Sequence, residues 1–410
     1  MDLKLQKSKI GNQQSTINVT GSKSESNRLL LLQALYPHIE IKNCSNSDDS
    51  VVMSEALSSS SNIIDIHHAG TAMRFLTAYF ATQDGREVVL TGSDRMKERP
   101  IKILVDALKS LGADISYLET EGFPPLKIKG RQLSNNKVAL KAHVSSQYIS
   151  ALLLIAAKLE NGLELTLEGE ITSIPYINMT LSLLNEVGIK TSFKGQLIKV
   201  YQQAAISKQE LIIESDWSSA SYFYSMIALS ELGTEVKLSA YKQNSLQGDS
   251  VLSEIYQQFG VETHFHNTRI TLRKSKNVDL ESIITLNLSN SPDIAQTIAV
   301  TCLGLGLECK LTGLHTLKIK ETDRLLALKT EIEKLGGEVA ITSNSLHLKA
   351  LKVKINTVAI DTYNDHRMAL SFAPLALVTS ITIRDAEVVS KSFPSFWNDL
   401  KALGFQVEKI

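Results

Sequence analysis

The chain has 410 residues, which favours two domains over one ordinary core. Its 43 basic and 43 acidic residues cancel, so no global field recruits nucleic acid or an anionic membrane, and any anion site has to be built locally. Three cysteines without a CxxC pair fit a reducing cytoplasm and exclude a disulfide frame or a zinc site.

In chain order, MDLKLQKSKI alternates like a strand and has no signal-peptide apolar region. Residues 21–28, GSKSESNR, set two cations and three hydroxyls before the apolar run LLLLQAL. The stretch is either an N-cap through Ser26 or Asn27, or a helix N-terminus presented to an anion. HHAGTAMRFL (67–76) reads as a small loop before a helix, with Gly70 admitting a ligand close to the backbone or Thr71 capping a tight turn. His67 and His68 have no third ligand at useful spacing, so no metal is expected. SDRMKERPI (93–101) is a basic loop before a Pro-started helix. HVSSQYISALLL (143–154) places Ser145, Ser146 and Gln147 at the entrance of an apolar helix too short to cross a bilayer, where they can cap it or hold a phosphate.

SDWSSASYF (215–223) reads as a plain helix start near a domain crossing. SPDIAQTIAV puts Asp293 in the first turn after Pro292, as a cap or as a base. In LKIKETDRLLALKTEIEKLG, Lys320, Glu321 and Arg324 precede an amphipathic helix, with Glu321 and Arg324 expected on neighbouring helical positions. YNDHRMALSFAPLAL leads Asp365, His366 and Arg367 into an apolar helix, and VSKSFPSFW carries Lys391 between a strand-like run and a proline. Each stretch alone is consistent with a cap or a solvated loop. Together, the junctions presenting hydroxyls and cations match a cleft for a polyanionic substrate.

One phrase also repeats: an amphipathic helical stretch, a glycine, then an alternating strand. The glycines fall at 112, 188, 260, 336 and 404, and a weaker sixth copy, MSEALSSSSNIIDI (53–66), has serines in place of the glycine. Each glycine stands where a helix needs a left-handed C′ residue, and a second short strand follows three of the copies. This predicts an α/β chain of repeated units in two similarly built domains.

The set GSKSESNR, HAGTAMR, RMKERPI, SSQ, SxPY, PD, KETDR, NDHRMA and KSFP, in that order from residue 21 to 397, closely resembles the EPSP synthase (3-phosphoshikimate 1-carboxyvinyltransferase) family of enolpyruvyl transferases. The resemblance implies two domains, each of three βαβαββ repeats, forming an inside-out α/β barrel. It implies a first domain over 20–214, a second made of 1–19 plus 215–410, and the active site in the interdomain cleft. The implied reaction moves the enolpyruvyl group of phosphoenolpyruvate to the 5-hydroxyl of shikimate 3-phosphate and releases phosphate. No cofactor takes part. Small-molecule substrates are the expected partners, with no nucleic acid and no membrane, for a cytoplasmic monomer.

The resemblance assigns Ser24 and Arg28 to the shikimate carboxylate, and Ser145, Ser146 and Ser173 to its phosphate. It assigns Arg99, Arg324, Arg367, Lys391 and Gln147 to phosphoenolpyruvate, with the Gly70 backbone alongside and Lys23 shared by both substrates. Lys320 and Asp293 meet the ring hydroxyls, with Tyr176 stacked nearby. Asp293 is the candidate base, and Glu321 with Lys23 the candidate for proton delivery to the methylene carbon. The substrates carry about five to six negative charges, which explains why a neutral chain gathers cations at these junctions. The chain departs from the family at His68 (commonly Asn), Phe75 (commonly Pro) and Thr316 (often Asn). A family member acting on UDP-N-acetylglucosamine usually uses a loop cysteine that RMKERPI lacks. A silent anion-binding protein would not need Asp293 and Glu321.

Overall fold

All five repeat glycines take positive φ, between 73° and 108°. Each lets its helix stop and turn at once into an edge strand, a conformation that a Cβ would strain. The structure, a computed structural model, describes residues 1–10, 16–141, 145–169, 171, 174–351 and 355–410.

The strand after each glycine lies at the edge of a four-stranded sheet; four of the five sheets share one strand order, and the fifth keeps the same pairing pattern with the N-terminal strand Leu3–Leu5 in third place. In one of them Ile283–Asn287 pairs parallel with Glu308–Thr312, which pairs antiparallel with Ser345–Leu348, which in turn pairs antiparallel with Val339–Ile341. The parallel pair needs a crossover helix, here Ala295–Leu305, and the antiparallel pair needs only a tight turn. The sixth copy departs from this pattern. Its helix Asp48–Ser58 is present, but the chain then runs directly into Ile63–Asp65, a strand of the next sheet. Its own sheet has two strands, Ile39–Lys42 and Gln209–Ile212. Serines at 58–61 offer no left-handed turn residue, and no hairpin forms there.

The chain divides into two compact units, Gly21–Ile213 and Met1–Thr20 with Glu214–Ile410. In the second unit the N-terminal segment supplies a strand to each of two sheets: Leu3–Leu5 between Ile381–Ile383 and Val407–Lys409, and Thr16–Ile17 beside Glu235–Ser239. Ser146–Ala156, Trp217–Ala228 and Ala295–Leu305 are buried along nearly their whole length, so they form the interior and only their first turns are left for polar chemistry. Among the described residues no helix is long and apolar enough to cross a membrane.

Candidate active site

In the unit containing the C-terminus, the junctions bring six predicted residues into one cage. Asp293 lies on the 3-10 turn Pro292–Ile294, where the proline ring starts the turn without needing an N–H. Arg324 opens helix Arg324–Lys334, Arg367 lies in the first turn of His366–Phe372, and Lys391 closes the turn Ala386–Lys391. Asp293 Oδ1 is 3.0 Å from Arg324 Nη1 and 3.3 Å from Lys320 Nζ, while Oδ2 is 3.2 Å from Arg367 Nη2. Glu321 receives Arg324 Nη2 and Lys391 Nζ, each at 2.8 Å.

The titrations follow from this packing. Burial raises Asp293, but Arg367, Lys320 and Arg324 outweigh it and hold the carboxyl well below 3.8. Burial alone would lower Arg324, and Asp365, Glu321 and Asp293 reverse that and raise it. Lys320 stays lowered, because burial outweighs Asp293 there. The cage therefore holds aligned cations whose present partners are carboxylates, and a more highly charged anion can displace those partners.

Two details differ from the sequence expectation. Glu321 and Arg324 do not share a helix: Asp323 caps it, accepting from Leu326 N at 3.1 Å, and the 2.8 Å ion pair forms across that cap. The run before Lys391 is a 3-10 turn rather than a strand. Thr316, one of the family departures, has a buried hydroxyl without a partner among the described residues.

Sequence reasoning gave no role to Asp365. This fully buried carboxylate caps Arg367 N at 2.8 Å and holds Arg324 Nε at 2.6 Å, so one side chain orients both guanidinium-bearing helices. The signal was the position of Asp365 two residues before Arg367 at a helix start.

In the Gly21–Ile213 unit, helix Lys23–Leu35 is capped by Ser22 rather than by Ser26 or Asn27. The glycine of GSKSESNR is structural: a Cβ at Gly21 would stand 1.9 Å from the Asn43 carbonyl oxygen. Lys23 Nζ pairs with Asp49 at 3.3 Å. Arg28 is buried, and its hydrogen-bond acceptors among the described residues are neutral: Thr180 at 2.8 Å, the Ser24 carbonyl at 2.8 Å, Ser150 at 3.0 Å and the Tyr176 carbonyl at 3.5 Å. Burial lowers it to about 10. The departure Phe75 lies against it, its ring centre 5.5 Å from the guanidinium carbon.

Helix Gly70–Ala81 begins after Ala69 with no side-chain cap, so Thr71 is free of that role and instead receives Gln147 Nε2 at 3.2 Å. Gly70 lies directly beneath Arg99, since a Cβ there would be 2.6 Å from Nη1. Arg74, also missed, ties HAGTAMR to RMKERPI through the Gly70 carbonyl at 3.0 Å and the Pro100 carbonyl at 3.3 Å. Burial, then the like charge of Arg99, lowers Arg74 to about 10. An uncapped helix start beside two guanidiniums favours an anion. Ser145 caps helix Ser146–Ala156, accepting from Gln147 N at 3.3 Å, and Tyr176 lies in the first turn of Ile174–Glu186. Ser173 lies outside the described residues.

The family model of EPSP synthase (3-phosphoshikimate 1-carboxyvinyltransferase) matches residues 54–400. The chain belongs to the EPSP synthase family. A 3-phosphoshikimate 1-carboxyvinyltransferase of Bacteroides fragilis (strain YCH46) is 44% identical over 398 residues, 96% of each chain. One of Haemophilus influenzae (strain PittEE) is 36% identical over 423 residues, covering 95% of this chain and 96% of that protein. The fold agrees with a solved EPSP synthase of Acinetobacter baumannii, at TM-score 0.81 and 21% identity over 100% of both chains. It also agrees with the enolpyruvyl transferase NikO of Streptomyces tendae, at TM-score 0.72 and 13% identity over 99% of this chain and 98% of that one.

Proposed function

We infer that this chain is a 3-phosphoshikimate 1-carboxyvinyltransferase, moving the enolpyruvyl group of phosphoenolpyruvate onto the 5-hydroxyl of shikimate 3-phosphate with release of phosphate. The observation that carries the reading is 44% identity to a relative of that activity over 96% of the chain. The site is consistent with it, because the reaction needs both anion-binding cations and acid–base carboxylates.

Within the C-terminal unit we assign Arg324, Arg367 and Lys391 to phosphoenolpyruvate and Lys320 to a ring hydroxyl. Asp293 now holds Lys320, Arg324 and Arg367. When the guanidiniums turn to the incoming phosphate and carboxylate, Asp293 loses the charges that depress it. Its burial then raises its proton affinity, as removal of the 5-hydroxyl proton requires. Glu321 is treated in the same way: once Lys391 and Arg324 leave it for the anion, it takes up a proton from solvent and, with Lys23, delivers it to the methylene carbon. Both carboxylates then face the cationic character that develops at C2.

Within the other unit we assign Ser24 and Arg28 to the shikimate carboxylate, with Ser145, Ser146 and Ser173 on the phosphate and Tyr176 against the ring. Lys23 meets both substrates, and Gly70, Arg99 and Gln147 face phosphoenolpyruvate. Arg28 supports this because its hydrogen-bond acceptors among the described residues are neutral, so the guanidinium can take a carboxylate in their place. The same reading takes the enzyme as a cytoplasmic monomer whose three cysteines stay reduced, as free thiols there do. A coupled phosphate-release assay tests the activity. Release that requires shikimate 3-phosphate and phosphoenolpyruvate together is expected, and release from either alone, or none from both, contradicts it.

A further inference from the structure

A buried carboxylate stands behind the cage with no place in the scheme above. Asp249 lies on the turn Gly248–Val251, is 5% exposed, and leaves its Oδ1 without a partner among the described residues. Its Oδ2 accepts a hydrogen bond from the Ser218 hydroxyl. The Ser218 oxygen in turn accepts from Arg367 Nη2 at 3.4 Å, beside Tyr222, whose hydroxyl accepts from Arg367 Nη1 at 3.4 Å.

The turn cannot drift. Gln247 fixes it to the start of helix Trp217–Ala228, accepting from Trp217 N at 2.9 Å and donating to the Ser215 carbonyl at 2.9 Å. We infer that Asp249 is a positioning residue for phosphoenolpyruvate binding, holding Arg367 in place through the Ser218 hydroxyl. This rests on the function proposed above.

One proton, that of the Ser218 hydroxyl, decides how firmly Arg367 is held. A serine hydroxyl has a single donor and two acceptor lone pairs. While Asp249 is ionised, that donor is committed to it, and the oxygen can only accept from Arg367. When Asp249 is neutral, the hydroxyl is free to rotate and the guanidinium loses a fixed acceptor. Because Asp293 must release Arg367 for catalysis, a second anchor keeps that guanidinium from wandering with the substrate half bound. Fold stability alone does not explain Asp249, since a buried carboxylate with one oxygen unbonded is costly.

The charged and titratable groups facing Asp249 are Asp293, Asp216, Arg367 and, behind Arg367, Tyr222. Burial first, then Asp293, pushes its carboxyl up to about 7, against the pull of Ser218 and Arg367. The Ser218 donor is therefore committed or released within the neutral range.

The test measures KM for each substrate and kcat in Asp249→Asn, Ser218→Ala and the double variant, from pH 6 to 8.5. Asp249→Asn is expected to raise KM for phosphoenolpyruvate about tenfold at pH 8, as loss of a charge-assisted link does. KM for shikimate 3-phosphate and the unfolding midpoint stay within error. Ser218→Ala gives the same shift, and the double variant is no worse than either alone. As pH falls below 7 the wild-type KM for phosphoenolpyruvate climbs toward that of Asp249→Asn, and the substrate's own ionisation cancels in the comparison. An unchanged phosphoenolpyruvate KM, an equal rise for both substrates, or additive effects overturns the inference. If the wild type itself fails to turn over both substrates, the proposed function falls first and this inference falls with it.

Discussion

Asp293 Oδ2 stands 3.2 Å from Arg367 Nη2, so the carboxylate assigned to take a proton is neutralised by a guanidinium assigned to a substrate. Three cations share that carboxylate, and all three would face one another without it. The resting site is thus an electrostatic lock whose key is a stronger anion.

Asp293 therefore stabilises the fold in a pH-dependent way. Its folded carboxyl titrates below 3.8, so the unfolded chain binds more protons in the acid range. The stabilisation is fully present above about pH 3.8 and is lost as pH falls through the folded value. Asp293→Asn should be less stable than the wild type at pH 7, and urea unfolding should show the gap narrowing below pH 3.8. A gap that widens in acid contradicts this.

Asp365 separates charge from capping. Asp365→Asn keeps a good cap for Arg367 N but strips Arg324 of its 2.6 Å counter-charge. Breaking a buried pair from one side costs roughly 3–5 kcal/mol. Asp365→Ala loses the cap as well, for about 1 kcal/mol more. Denaturant midpoints should rank wild type above Asn above Ala, and an Asn variant as stable as the wild type contradicts the charge assignment.

Two glycines of neighbouring motifs should respond differently to alanine. At Gly70 the added methyl meets the end of the flexible Arg99 side chain at 2.6 Å, which can yield. Gly70→Ala should keep near-normal stability and raise KM for phosphoenolpyruvate severalfold, because Arg99 is displaced. At Gly21 the obstacle is the Asn43 carbonyl at 1.9 Å, which is backbone. Gly21→Ala should lower the melting temperature by several degrees, as a substitution costing about 1–3 kcal/mol does. Equal melting temperatures for the two variants would refute this contrast.

The repeat was legible because helix termination has a local chemical requirement: only glycine takes the left-handed turn cheaply, and five glycines mark five sheets. The cage cations were legible because Lys320, Arg324, Arg367 and Lys391 gather at junctions between elements, and Arg367 leads an apolar helix that does not need it. Asp365 and Asp249 were not, since their work depends on side chains 41 and 31 positions away, Arg324 and Ser218, which no local pattern records. Arg28 showed its charge but not its surroundings: Thr180 and Ser150 reach it from two other helices. The missing hairpin of the sixth repeat was half visible, as serines where a glycine belongs.

Whether Asp293 performs chemistry beyond holding cations is decided by one comparison. Phosphate release by wild type and Asp293→Asn is measured at saturating shikimate 3-phosphate and phosphoenolpyruvate, with shikimate 3-phosphate affinity measured in both. Affinity should stay within about tenfold while turnover falls by roughly a hundredfold or more, as loss of a positioned base gives. Near-normal turnover in a folded Asp293→Asn protein would contradict that role.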